Sequence, residues 1–389
     1  MFQRDLKSVL MAQSCQFPVM TVLGPRQSGK TTLVKKLYQE KAYFNLEEPD
    51  TRALILSDPR HFFSTNSAGV ILDEIQRAPE LLSYIQTIVD QKKEVGQFIL
   101  TGSHQIALGE EIAQSLAGRT GILELLPLSL HELQQSDLLL DLDDLLLAGG
   151  YPRIYDKTIE PIVYFRAYER TYVERDVRQI INVQSLDQFQ RFMQLAAGRV
   201  GSILNFESLA NDVGVSNPTI RAWLSVLQAS YLVTLLPPYF ENFGKRVLKA
   251  PKLFFSDVGL VSYLLGIETS LQMNRNPIRG HLFENLVVLE VMKARLNQGL
   301  DAKLYYYRDN HQNEIDLIIQ QGHDLIPIEI KSTHTFTPSL LKNLKFYQKL
   351  VGKRCTKAFL IYAGEREQWI GDIFLMNYKN AANILSMIK

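Results

Sequence analysis

Cysteine is nearly missing from this chain. Cys15 and Cys355 are its only two in 389 residues, too few for a disulfide framework and in keeping with a reducing compartment. Long apolar runs are missing as well: none approaches the ~18 consecutive residues a membrane helix needs. The opening MFQRDLKSVL carries Arg4, Asp5 and Lys7 where a signal peptide would have an apolar core. These absences predict a cytoplasmic protein with no membrane partner. Net charge is only +1, so the whole chain lacks the dense basic character of proteins that live on nucleic acid.

That small sum conceals an uneven distribution. Residues 1–150 hold 13 Lys and Arg against 19 Asp and Glu, whereas the rest hold 29 against 22. An acidic first part and a mildly basic remainder allow the remainder to meet a polyanion. Hydrophobic residues make up 46% and charged residues 21%, a folded profile that excludes collagen-like or disordered chains. Single cores stop growing at about 250–300 residues, so several domains are expected. The boundaries suggested are 1–150, 151–270 and 271–389.

The segment 18–24, PVMTVLG, is a short strand candidate that runs into Gly24-Pro25-Arg26-Gln27-Ser28-Gly29-Lys30-Thr31-Thr32. Every fixed position of G-x-x-x-x-G-K-[ST] is met. Glycines let the backbone wrap so that amides point at a β-phosphate. Lys30 supplies a charge to the β/γ oxygens, Thr31 offers a hydroxyl to Mg²⁺, and the following helix adds its positive dipole end. Downstream, Gly69–Glu74 is an apolar run ending in two acids. Asp73 is the expected Mg²⁺ partner and Glu74 the residue that orients and deprotonates water. A third strand, 97–103, ends in Thr101, Gly102 and Ser103, where ligands bind in an open α/β sheet; Ser103 is a candidate sensor hydroxyl near the γ-phosphate. Further strands at 42–48 and 121–129 complete an alternation that implies a parallel sheet. Arg119, before the last strand, is a candidate to neutralise transition-state charge, in its own subunit or across the interface of a homo-oligomer.

Taken together, GPRQSGKTTL, VILDEIQ, FILTGSHQ, LAGRTGILELLPLSLHEL and GGYP (149–152) resemble the prokaryotic AAA+-superfamily ATPases in which an N-terminal ATPase domain precedes a C-terminal domain of unknown function. The resemblance spans essentially the whole chain. It implies an ATPase of the additional-strand, catalytic-glutamate type, with Lys30, Thr31, Asp73 and Glu74 at the matching positions.

Residues 157–200 have helical character, with Tyr164, Tyr168 and Tyr172 on one side, a spacing that favours core. Arg175 and Asp176 resemble a pair found in the family, without an assigned chemistry. Phe206–Gln228 follows helix–turn–helix grammar: a helix, a turn at Gly214, then Asn217 as N-cap and Pro218 at the first helical position. Ile220, Trp223, Leu224 and Leu227 share its inner face, and the outer face carries a single base, Arg221. Two strands follow, with Lys245, Arg246, Lys249 and Lys252 in or beside the wing between them. A winged helix is the expectation, with weak, unspecific phosphate contact as its link to DNA.

After an expected loop at 271–280, a helix carries Glu284 and Glu290. A strand ends near Asp309, another carries Asp316, and a third carries Glu329 and Lys331 two residues apart on one face. This resembles the PD-(D/E)xK restriction-endonuclease-like fold, which implies convergence of Glu284, Asp316, Glu329 and Lys331 around a second Mg²⁺. A competing reading keeps the fold without the cleavage, so that the site only binds. A basic helix with Lys342, Lys345, Lys349, Lys353 and Arg354 follows. The fold class expected is α/β: a parallel-sheet P-loop ATPase domain, a helical and winged-helix middle, and an endonuclease-like α/β C-terminal domain. The function expected is Mg²⁺-dependent ATP hydrolysis coupled to DNA handling, with cleavage or with a nucleotide-switched docking role as the alternatives.

Overall fold

The computed structural model describes residues 2–92, 94–103, 115–177, 185–240 and 250–388, of which 174–177 by backbone alone. Contacts divide the chain into two compact units. One comprises Met1–Leu128 with Ala229–Tyr231 and Leu296–Leu300; the other comprises Ser129–Gln228, Leu232–Arg295 and Asp301–Lys389. The boundaries suggested at 150 and 270 both fall inside the second unit.

The first unit is built on five parallel strands: β1 (Val19–Leu23), β2 (Ala42–Asn45), β3 (Val70–Asp73), β4 (Phe98–Gly102) and β5 (Thr120–Glu124). Their order is β2-β3-β4-β1-β5, so β1 is central and pairs with β4 on one side and β5 on the other. The three inner strands are buried along their whole length, whereas edge strand β5 alternates. This is why VMTVL and VILD read as unbroken apolar runs. Helices α1 (Lys7–Ser14), α2 (Lys30–Leu37), α3 (Pro49–Ser57), α4 (Pro59–Thr65) and α5 (Leu81–Lys92) accompany it. Leu6, Leu10, Leu33 and Val34 pack with Met20, Val22, Ile71 and Ile99. Two strands are shorter than expected. β2 stops at Asn45 because Pro49 opens α3, and β5 stops at Glu124 ahead of Pro127. The segment after Pro127 turns into a helix, Leu130–Gln134, capped reciprocally by Ser129 and Glu132.

In the second unit, helices Phe206–Val213 and Asn217–Ala229 flank a left-handed Gly214 (φ 84°). Ile220, Trp223, Leu224 and Leu227 are buried as their spacing predicts. The cap is Ser216, not Asn217: the Ser216 hydroxyl accepts from the Thr219 amide at 3.3 Å. Asn217 instead accepts from Arg221 at 2.9 Å, and that guanidinium lies 3.9 Å from the centre of the Phe206 ring. Strands β6 (Val233–Leu236) and β7 (Lys252–Phe255) pair antiparallel. Lys245, Arg246 and Lys249 lie outside the described residues, as do the side chains of Arg175 and Asp176. Tyr164, Tyr168 and Tyr172 are buried, in line with the core reading.

The same unit holds a six-stranded mixed sheet of β8 (Leu304–Arg308), β9 (Glu314–Gln321), β10 (Asp324–Lys331), β11 (Ala358–Tyr362), β12 (Gln368–Ile370) and β13 (Ile373–Asn377), ordered β12-β13-β11-β10-β9-β8. β9 runs antiparallel to both β8 and β10, while β10, β11 and β13 are parallel. Where a loop was expected at 271–280 there is a helix, Ser270–Arg275, closed by a Thr269–Gln272 capping box. The helix Arg279–Leu296 is buried over most of its surface. Among the described residues, no helix is long and apolar enough to cross a membrane.

Candidate functional site

β1 feeds directly into the phosphate loop. At Gly24, with φ 149°, an added Cβ would lie 2.2 Å from the Leu125 carbonyl oxygen, so a side chain there would drive the loop off its neighbouring strand. Gln27 (φ 63°) and Gly29 (φ 97°) turn left-handed, a geometry that aims successive amides into one concavity. α2 starts at Lys30 and no side chain caps it, so its first N–H groups face the same hollow. Ser28 lies buried with no hydrogen-bond partner for its hydroxyl among the described residues. Arg26 is held sideways by Glu47 at 2.7 Å, and Thr32 is exposed on α2.

Lys30 is 4% exposed. Its ammonium donates to the carbonyls of Gly24 and Pro25 at 2.9 Å each. Burial pushes its pKa below the usual lysine range, opposed by the charges of Glu74 and Asp73. The Thr31 hydroxyl donates to Asp73 at 2.9 Å (Oδ2) and 3.1 Å (Oδ1). Tyr43 donates to Asp73 Oδ2 at 2.7 Å, and Thr101 donates to Oδ1. Glu74 sits just beyond β3 in a left-handed conformation, φ 56°. Its amide donates to Thr101 Oγ1 at 3.2 Å, and its carboxylate accepts from Ser103 at 3.0 Å and from the Gln76 amide.

Lys30, Thr31, Asp73, Glu74 and Ser103 are thus gathered at the carboxyl end of the parallel strands. Arg119 is not among them. It precedes β5 at the amino end of the sheet and makes a two-bond ion pair with Asp90 at 2.6 and 2.9 Å. A five-residue strand spans roughly 17 Å, which separates this guanidinium from the phosphate loop of its own chain.

Three partners in this site had not been singled out as functional. Arg4, 8% exposed, donates to the carbonyls of Ser28 (2.5 Å) and Leu126 (2.6 Å) and braces the loop from behind. Tyr43 and Gln76 bind the two acids. Only Gln76, two residues after Glu74, stood close enough in sequence to be noticed.

A hydroxyl and a carboxylate in contact are hard oxygen donors that suit Mg²⁺, which normally takes one or two protein groups and completes its shell with water and substrate phosphates. Among the described residues no three His, Cys, Asp or Glu converge to form an all-protein cage.

The second cluster lies between the helix Arg279–Leu296 and strands β9 and β10. Glu284 accepts from Lys252 Nζ at 2.8 Å, and Glu314 lies 2.5 Å from the same ammonium. Asp316 accepts from Lys331 at 3.1 Å and from the Ile330 amide at 2.8 Å. Glu329 contacts Lys331 at 2.8 Å and accepts from Asn343 at 3.1 Å. Burial, reinforced by Asp316, pushes the Glu329 carboxyl up to about 8, and burial pushes Glu284 up to about 7 against the pull of Lys252. Glu290 stays apart, paired with Lys293 at 2.9 Å and accepting from the Leu130 amide at 2.7 Å.

The four predicted residues do share one region, but the expectation of a second Mg²⁺ there is not met by the donors. Each carboxylate is engaged by a lysine, and one of those lysines, Lys252, had been read as lying in or beside the wing and not as part of this cluster. It is 2% exposed. The strand β7 that carries it is buried at every position, a pattern its sequence, KLFF, already carries in three of four residues.

Comparisons with known proteins divide the chain in three. A family described as "AAA domain" matches residues 16–134, and two families described as domains of unknown function match 139–271 and 279–381. Uncharacterized proteins of Mycobacterium tuberculosis and Mycobacterium bovis are each 31% identical over 374 residues, covering 95% of this chain and 82% of theirs. An uncharacterized protein of Methanocaldococcus jannaschii is 22% identical, covering 86% of this chain and 78% of its own. A solved Walker-type ATPase of Pyrococcus abyssi is 17% identical with a TM-score of 0.41, covering 68% of this chain and 96% of that one.

Proposed function

We propose that this chain, which belongs to the AAA-domain family of P-loop ATPases, couples Mg²⁺-dependent ATP hydrolysis to the handling of DNA by its remaining domains. The observation that carries the ATPase reading is the contact of Thr31 with Asp73 at 2.9 Å, beside Lys30 and one residue before Glu74. In this reading the amides of residues 26–31 and the Lys30 ammonium bind the phosphates, while Thr31 and Asp73 hold the metal. Glu74 positions and deprotonates a water, and Gln76 and Ser103 fix the direction of its carboxylate. The metal's contribution is to offset phosphate charge. Arg119, half-buried against Asp90 at the other end of the sheet from its own loop, would serve a neighbouring subunit.

Calorimetry and a turnover assay test this together. Lys30→Ala should lose ATP binding. Glu74→Gln should keep binding and lose about 10²–10³ in rate, as removal of a principal positioning or electrostatic group does. Gln76→Ala should lose roughly ten- to hundredfold in kcat with little change in KM, since a hydrogen bond to a charged group contributes about 1.5–3 kcal/mol. Full turnover by Glu74→Gln would remove that residue from its role.

For the C-terminal cluster, docking is the better-supported reading than cutting, because two lysines occupy the spaces between its carboxylates. Plasmid nicking with Mg²⁺ or Mn²⁺, abolished by Asp316→Ala and Lys331→Ala with ATPase activity intact, would reverse that preference.

A further inference from the structure

Lys252 is the most deeply buried cation of the C-terminal cluster. Its ammonium reaches Glu284 at 2.8 Å and Glu314 at 2.5 Å, and it lies 5.6 Å from the centre of the Tyr306 ring. The Tyr306 hydroxyl is tied to the Ala250 carbonyl, and Lys252 itself bridges to Ile203, so the side chain enters the cluster from a fixed strand. Burying a lone lysine would be costly; here Glu284, Asp316 and Glu314 outweigh the desolvation and keep it charged. The other cations are placed similarly. Lys331 lies between Asp316 and Glu329, and Arg308 contacts Glu314 at 3.1 Å. Four carboxylates therefore face three fixed positive charges. His281, one helical turn from Glu284, adds a ring nitrogen at the edge.

This donor set contains the oxygen ligands a divalent ion uses, yet an ammonium already sits among them. An ammonium and a hydrated divalent cation compete for the same lone pairs, and two cations within ~3 Å of one carboxylate repel strongly. We propose that Lys252 is the resident cation of this cluster: its ammonium, set against Glu284 and Glu314, keeps those two and Asp316 from converging on one ion, as no three such groups do among the described residues, and removing its charge lets the three close on a divalent cation. The inference deepens the docking reading of the C-terminal domain and does not involve the ATP site.

The test is a Mn²⁺ titration of the full-length chain, followed by calorimetry and electron paramagnetic resonance, on wild type, Glu284→Gln, Lys252→Met and the double variant. Wild type and Glu284→Gln should bind the same number of ions. Lys252→Met should gain one equivalent, with affinity at least about tenfold above any residual wild-type binding there, and the double variant should lose it. A wild-type ion that disappears with Glu284→Gln overturns the proposal, and so does a folded Lys252→Met that gains none. Should Lys252→Met fold poorly, Mn²⁺ must raise its melting temperature; indifference to Mn²⁺ counts against the proposal. Lys252→Arg, which keeps the charge, should behave as wild type. Plasmid nicking by wild type is read separately: it would end the docking reading, while the ion count alone decides the role of Lys252.

Discussion

Glu329 shows how a single carboxyl can make a whole unit pH-sensitive. It is 2% exposed, and its Oε2 has no hydrogen-bond partner among the described residues. Burial and the neighbouring Asp316 raise its pKa from the ordinary 4.5 to about 8, with Lys331 and Asn343 pulling the other way. Between those values the folded chain keeps a proton that the unfolded chain releases. Stability from this group is therefore greatest below pH 4.5 and declines as pH climbs towards 8; Glu284, raised to about 7, acts in the same direction. Glu329→Gln should flatten the fall in melting temperature between pH 5.5 and 8.5. It should also melt above wild type at pH 8.5 by at least about 2–4 °C, which corresponds to about 1 kcal/mol in a unit of 150–250 residues. Parallel melting curves across that range would show that the carboxyl titrates normally.

At the scale of elements, the GGYP segment turns from a motif into a joint. Gly149 has φ 65°, and a Cβ there would lie 2.0 Å from Asp257 Oδ1. Asp257 accepts from the amides of Gly150 (2.7 Å), Gly259 (2.9 Å) and Leu260 (3.2 Å), capping the helix Val258–Leu264 while holding the chain ahead of Tyr151. Gly149→Ala should destabilise the second unit by about 1–3 kcal/mol from backbone strain alone, and by more if Asp257 is displaced; urea unfolding measures it, and an unchanged midpoint refutes the joint. Local grammar made much of the molecule readable in this way. The P-loop, the acid pair after β3 and the buried face of Asn217–Ala229 all depend on residues within a few positions of one another. Arg4, Tyr43 and Lys252 act on partners 24 to 122 residues away, so no spacing marks them. Arg119 was only half readable for the opposite reason: its place beside a strand is local and visible, but which end of the sheet it occupies depends on the direction of the whole strand.

The molecule as a whole is nearly neutral at +1, so any grip on a polyanion must come from a local surface. Helix Lys342–Val351 offers one. Leu344, Tyr347 and Val351 are buried, while Lys342, Lys345 and Lys349 are exposed on the opposite side at spacings of three and four residues. Arg354 is not available to it, since its guanidinium is donated to the His323 carbonyl and the Tyr239 hydroxyl. The same helix sends Asn343 to Glu329, so a backbone lying along these lysines would border the carboxylate cluster. If all three meet phosphates, each contributes about −0.9 to the slope of log affinity against log salt, and affinity should fall roughly fortyfold between 50 and 200 mM salt. Fluorescence anisotropy with a labelled duplex measures that slope. Lys342→Gln, Lys345→Gln and Lys349→Gln together should reduce it by about 2.7 while leaving ATP turnover unchanged. A slope that survives all three substitutions moves the contact elsewhere, and binding that ignores salt leaves no part for phosphate charge and favours a protein partner.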